Sequence, residues 1–151
     1  MCFLHAKNAF DRVNHLILAN KLLDRNVPLH IVKLFIFWYR EQEFMVGWGN
    51  SLSMTFRWSN GIRQGGQLSP LLYIVYTDDL NHHLQATGVG CYVGVGGAWV
   101  DSLCYVDDMV LLAPTVTALQ TLLEVCRAYA GPHDIVYSTT KTIYCMLVRT
   151  K

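Results

Sequence analysis

The sequence predicts an α+β fold, an antiparallel sheet with helices packed on one face. Three observations lead there. Apolar residues recur at helical spacing in three stretches, Ser69-Pro70 opens a fourth helix, and apolar residues alternate or cluster elsewhere, giving the order β-α-α-β-β-α-β-β-α-β-β. Residues 103–112 place two adjacent carboxylates, Asp107 and Asp108, between two apolar runs, the pattern of a buried β-hairpin. The 151 residues suit one domain with a real core, and 52% of them are hydrophobic, above the usual range of about 45–50%. That excess suggests apolar surface meant for something outside this chain.

The first strand is Cys2 to Leu4. A helix follows from Val13, with Leu16, Ile17 and Leu23 at helical spacing, and should end near Asn26, before Pro28. A second helix starts at Pro28 and carries Ile31, Leu34, Phe35 and Trp38 on one face, read as core. Phe44, Val46 and Trp48 alternate, as do Met54, Phe56 and Trp58, around a Gly49-Asn50-Ser51 turn, which reads as a hairpin. Ser69 suits an N-cap and Pro70 a first helical position, for a helix running to about Gln85. A glycine-rich stretch at 88–97 leads into the acidic hairpin. Thr117-Ala118-Leu119-Gln120 matches a capping box, and Gly131-Pro132 ends the helix it opens. Residues 135–137 and 143–148 read as the last strands.

Charge and cysteine content narrow the class. Lys and Arg number 12 against 11 Asp and Glu, net +1, a balance that on its own points away from a nucleic-acid binder. No apolar run approaches the roughly 18 residues of a membrane span, and the longest candidate, 31–39, contains Lys33. The first residues lack the layout of a signal peptide. Five cysteines, odd in number and without a Cys-x-x-Cys pair, read as free thiols of an intracellular protein, cytoplasmic or nuclear.

Adjacent side chains on a strand point to opposite faces, so Asp107 and Asp108 can serve one site only at a hairpin tip. Two carboxylates beside a core require positive charge, and a divalent metal is the obvious candidate. Gly65 and Gly66 would let backbone approach a ligand closely, although a turn before a capped helix explains them equally. A small metal-binding or interaction module built on the hairpin would leave residues 63–70 unexplained.

Three strings stand together in order: Ala9-Phe10-Asp11-Arg12-Val13-Asn14-His15, Gly61-Ile62-Arg63-Gln64-Gly65-Gly66-Gln67-Leu68-Ser69-Pro70, and Tyr105-Val106-Asp107-Asp108. Their text and order resemble the palm of reverse transcriptases, in particular those of non-LTR retrotransposons, and Lys141-Thr142 resembles that family's next motif. The resemblance implies an RNA-directed DNA polymerase palm spanning residues 1–151, with part of the fingers hairpin and without the preceding fingers or the thumb. It implies two-metal transfer of deoxynucleotides onto a primer 3′-hydroxyl with Mg²⁺, or Mn²⁺, and an RNA template and DNA primer as partners. By the same resemblance Asp107 is the bridging metal ligand and Asp108 its weaker companion. Tyr105 packs near the primer end. Gln64, with Arg63 and Gly65, lies near the incoming nucleotide and template base. Phe10 packs under the sugar and excludes a 2′-hydroxyl, and Lys141 protonates the leaving pyrophosphate. Arg12 reads as a solvated helix-start residue.

One position departs from the pattern. The family carries Asp at the end of the first strand; here that residue is His5. Imidazole suits zinc, copper or iron, whereas Mg²⁺ wants hard oxygen. Asp11 lies past the strand end and does not replace the missing carboxylate. Losing a shared metal ligand should slow transfer by about a thousandfold or more.

Overall fold

The structure, a computed structural model, describes residues 1–94 and 97–146. Its central sheet has the antiparallel order β10-β1-β9-β8, formed by Ile143–Tyr144 (β10), Cys2–His5 (β1), Asp108–Leu111 (β9) and Ser102–Tyr105 (β8). The α+β expectation holds. On β1 the period of two is plain: Cys2 and Leu4 are buried while Phe3 is exposed.

Helix α1 (His15–Asp24) begins at Asn14, whose side chain accepts from the amides of Leu16 and Ile17. Helix α2 (Leu29–Glu41) follows Pro28. Four two-residue strands then form the expected hairpin, with β2 (Glu43–Phe44) pairing β5 (Phe56–Arg57) and β3 (Gly47–Trp48) pairing β4 (Ser51–Leu52). Helix α3 (Ser69–Ala86) crosses the molecule and joins both cores. Its Leu72, Tyr73 and Tyr76 pack with Val13, Leu18 and Ile62. Its Leu80 and Leu84 pack with Cys2, Leu4, Leu111 and Leu122, beneath the sheet. The strands β6 (Cys91–Val93) and β7 (Ala98–Val100) form a further hairpin inside the glycine-rich stretch, and α4 (Val116–Ala130) closes the core.

Four expectations are corrected. Ile31, Leu34 and Trp38 of α2 are exposed, Trp38 at 57%; the buried residue of this helix is Val32, with Phe35, Ile36 and Tyr39 half-buried beside it. The inward face is therefore rotated by one residue, about 100°, from the stripe read as core. Ser69 does not cap α3: it is the first helical residue, and its buried hydroxyl donates to the Arg63 carbonyl at 2.6 Å. The cap of α4 is Thr115, whose hydroxyl accepts from the Ala118 amide at 3.1 Å, two residues before the predicted box. Residues 135–137 form no strand; Tyr137 makes a single antiparallel bridge to Ala6. The end of the predicted last strand, 147–148, lies outside the described residues.

Candidate active site

The acidic hairpin has a two-residue turn. Tyr105 pairs with Asp108 across β8 and β9, leaving Val106 and Asp107 as its centre. Val106 has φ +56°, a left-handed conformation disfavoured for a β-branched residue at a cost of about 1–3 kcal/mol. Its half-buried side chain packs against the first core cluster, which helps hold the turn. The turn lifts Asp107 out of the strand alternation, so both carboxylates reach one side.

His5 ends β1 directly opposite Asp108 in register. Its Nδ1 lies 2.9 Å from Asp108 Oδ1 and 3.6 Å from Asp107 Oδ2. Donor atoms of His5, Asp107 and Asp108 all fall within 4.8 Å of one another. The other ring nitrogen, Nε2, faces Lys141 Nζ at 3.4 Å. Lys141 arrives on a turn anchored to the same strand end: the Ser138 amide donates to the His5 carbonyl at 2.9 Å, and the Lys141 amide donates to Ser138 Oγ at 3.2 Å. The Asp107 side chain is 28% exposed, against 68% for Asp108.

A cavity of about 230 Å³ lies beside the hairpin, lined by Tyr105, Val106 and Asp107 on one wall and by Tyr73, Ile74 and Thr77 of α3 on another. Burial, and secondarily the charge on Asp107, push the Tyr73 phenol above its ordinary range. Phe10, in a single 3₁₀ turn Phe10–Arg12, packs on Tyr73 with ring centroids 5.5 Å apart.

The glycine loop is attached to this region through backbone. The Gly61 amide donates to Val13 O and the Ile62 amide to Phe10 O, both at 2.8 Å, and His15 Nε2 lies 2.6 Å from Gly61 O. Arg63, Gln64 and Gly65 beyond them are exposed. Arg63 lines a separate groove of about 250 Å³ with Phe35, Trp38 and Gln42, so it does not share the hairpin cavity. Gly65 has φ +76°, and at Gly66 a Cβ would meet Ser69 Oγ at 2.7 Å. The structure thus joins His5, Asp107, Asp108 and Lys141 directly, reaches Phe10 through Tyr73, and sets Arg63 apart.

Several contacts were not foreseen. Arg12, partly exposed as expected, also pairs with Asp134 at 2.8 Å, tying the 3₁₀ turn to the segment after α4. Tyr73 supports Phe10 and walls the cavity; its three-residue spacing from Tyr76, on the inward face of α3, is the signal that marks both. Lys21 is buried in α1 and donates to Asp79 Oδ2 at 2.6 Å and to the Tyr129 hydroxyl at 2.9 Å.

Asp107 and Asp108 supply hard oxygen, but the third corner supplies a ring nitrogen already engaged by Asp108. The residues present do not fit the metal pair that the sequence resemblance implies.

Comparison with known proteins gives the family. Residues 1–149 match the family described as Reverse transcriptase (RNA-dependent DNA polymerase). The chain is 31% identical over 132 residues to the Retrovirus-related Pol polyprotein from type-1 retrotransposable element R2 of Nasonia vitripennis, covering 87% of this chain and 12% of the polyprotein. It is 26% identical over 129 residues to the RNA-directed DNA polymerase from mobile element jockey of Drosophila funebris, covering 85% of this chain and 14% of that protein. Among solved structures it resembles telomerase from Candida albicans in complex with the TWJ fragment of telomeric RNA, with a TM-score of 0.73 at 14% identity, covering 99% of this chain and 28% of that one. It also resembles apo telomerase from Candida tropicalis truncated from its C-terminal domain, with a TM-score of 0.69 at 15% identity, covering 94% and 29%. At these identities the telomerases show a shared polymerase palm-like fold. The chain belongs to the reverse transcriptase (RNA-dependent DNA polymerase) family, with sequence relatives among non-LTR retrotransposon polyproteins.

Proposed function

We propose that this chain is the palm portion of an RNA-directed DNA polymerase whose centre is impaired by His5. The observation carrying this is the register pair His5–Asp108, which sets an imidazole within 2.9 Å of one carboxylate and 3.6 Å of the other. In this reading Asp107 and Asp108 are the surviving catalytic carboxylates. Phe10 limits the sugar, Tyr105 receives the primer end, and Arg63, Gln64 and Gly65 face nucleotide and template. Lys141 stands near the leaving group. The substrates are deoxynucleoside triphosphates, a DNA primer and an RNA template. Fingers and thumb regions of the same polyprotein cover the exposed apolar faces, and the protein acts inside the cell, where its template is.

Transfer of a nucleotide needs oxygen donors on both sides of the reacting phosphate, and here one side is nitrogen. A second reading, a retroelement remnant with the fold kept and no enzymatic role, is favoured by the same histidine. The test places this palm, with His5→Asp, in a chain extended to the length of its relatives. Incorporation directed by an RNA template, and lost on adding Asp107→Asn, supports the polymerase reading. Incorporation that survives Asp107→Asn, or none from any variant, overturns it.

A further inference from the structure

We infer that Lys141 and His5 together close this acidic centre to divalent metal, by holding an internal hydrogen-bonded chain in its place. The inference concerns the centre of the polymerase reading and rests on it only for the metal expected there. Its test is a binding measurement, so either can fail alone.

The argument is one of donors and acceptors. A lysine ammonium has donors and no acceptor. Lys141 Nζ stands 3.4 Å from His5 Nε2, and an ammonium there is satisfied when that nitrogen accepts. In a neutral imidazole the proton then sits on Nδ1. Nδ1 in turn donates to Asp108 Oδ1 at 2.9 Å, with Asp107 Oδ2 at 3.6 Å on the same side. Each link is satisfied: ammonium to Nε2, and Nδ1–H to carboxylate. A lone-pair-bearing Nδ1 is what a metal would need, and Lys141 withholds it. A metal-bound histidine almost always donates its far N–H to a carboxylate or carbonyl. Here the far nitrogen meets a donor, the wrong polarity for a ligand.

The backbone enforces the arrangement. His5 is fixed opposite Asp108 by strand register, and Lys141 is carried by the Ser138 turn, whose amide donates to His5 O. The imidazole and the ammonium thus converge on one strand end, 136 residues apart in sequence. Lys141 acts through His5 and is a positioning residue, one that sets the imidazole tautomer.

Removing the lysine should release the tautomer. His5 Nδ1 and the two carboxylates would then present one nitrogen and two oxygens, a set suited to borderline ions such as Co²⁺ or Zn²⁺ rather than to Mg²⁺. Calorimetric titration of the wild-type chain, Lys141→Met, Lys141→Ala and His5→Asp with CoCl₂ and with MgCl₂ tests this. Lys141→Met keeps the aliphatic stem, and thermal melts check that each variant is folded. Both lysine variants should bind Co²⁺ at least about tenfold more tightly than wild type, the usual scale for an outer partner of a ligand. Adding His5→Ala should abolish that gain. His5→Asp should raise Mg²⁺ affinity by a similar factor. Unchanged Co²⁺ affinity in both lysine variants overturns the inference. So does wild-type Mg²⁺ binding as tight as that of His5→Asp.

Discussion

Lys21 sits within the apolar face of α1, yet its ammonium is buried and satisfied by Asp79, by the Tyr129 hydroxyl and by the Tyr129 ring at 5.4 Å. The hydrogen bond from Lys21 is the main reason the Asp79 carboxyl is held below its ordinary range. Lys21→Ala should destabilise the fold by about 1–3 kcal/mol at neutral pH, kept modest because Asp79 is half exposed. The folded Asp79 value is lowered, so its contribution is complete above the unfolded value of roughly 3.9 and fades as pH falls through the folded one. The penalty should therefore shrink in acid, which urea unfolding of the wild type and variant at several pH values would show. A penalty unchanged in acid would mean that packing, not the ion pair, carries it. This network was not legible in the sequence, because its partners lie 58 and 108 residues from Lys21. His5 was legible, because a missing carboxylate is visible within a short motif.

Gly61 couples two elements that the sequence presents separately. Its φ is +94°, and a Cβ there would meet the Asp11 backbone oxygen at 2.8 Å. Gly61→Ala should cost more than about 2 kcal/mol, combining strain with displaced backbone. Gly65, at φ +76° with open space around it, should cost only about 1 kcal/mol as alanine. Chemical denaturation of both variants measures the difference, and equal penalties would mean that the Gly61 contact does not hold the loop. Periodicity located α1, α2 and α4, since spacing is local. It misplaced the inward face of α2 because the apolar arc of that helix is wide, taking in Val32, Ile36 and Tyr39 as well as the stripe read as core, so two stripes one residue apart fit the pattern. The packing of α1 against α2, with the His15 and Tyr39 rings 5.6 Å apart, decides between them. The capping box at Thr117 failed for a similar reason: Thr115 offers the same chemistry one half-turn earlier, and the chain direction after Pro114 selects it.

Among the described residues, one group of exposed apolar side chains falls on the outer stripe of α2 and the β2–β5 hairpin, where Trp48 is 86% and Met54 90% exposed. Large apolar side chains exposed on adjoining elements mark an interface. The isolated chain should self-associate, and light scattering should show a mass that rises with concentration. Leu34→Glu with Trp38→Glu should lower that association while shifting unfolding by no more than about 0.5 kcal/mol each. A clean monomer at all concentrations would contradict the assignment of these faces. The fold and the centre were readable at this scale because three motif strings keep their order and the backbone brings them together: β1 against β9, and Gly61–Ile62 against Phe10–Val13. The separate groove at Arg63 was not, since its second wall comes from Phe35, Trp38 and Tyr39 in the C-terminal half of α2, far from Arg63 in sequence.

In the proposed polymerase centre an imidazole, His5, occupies the corner where a carboxylate would stand. Single-turnover extension of a primer on an RNA template, comparing His5 with His5→Asp in a chain of full family length, measures the consequence directly. The account predicts a rate increase of about a thousandfold or more for the aspartate variant; equal rates from the two proteins would contradict it.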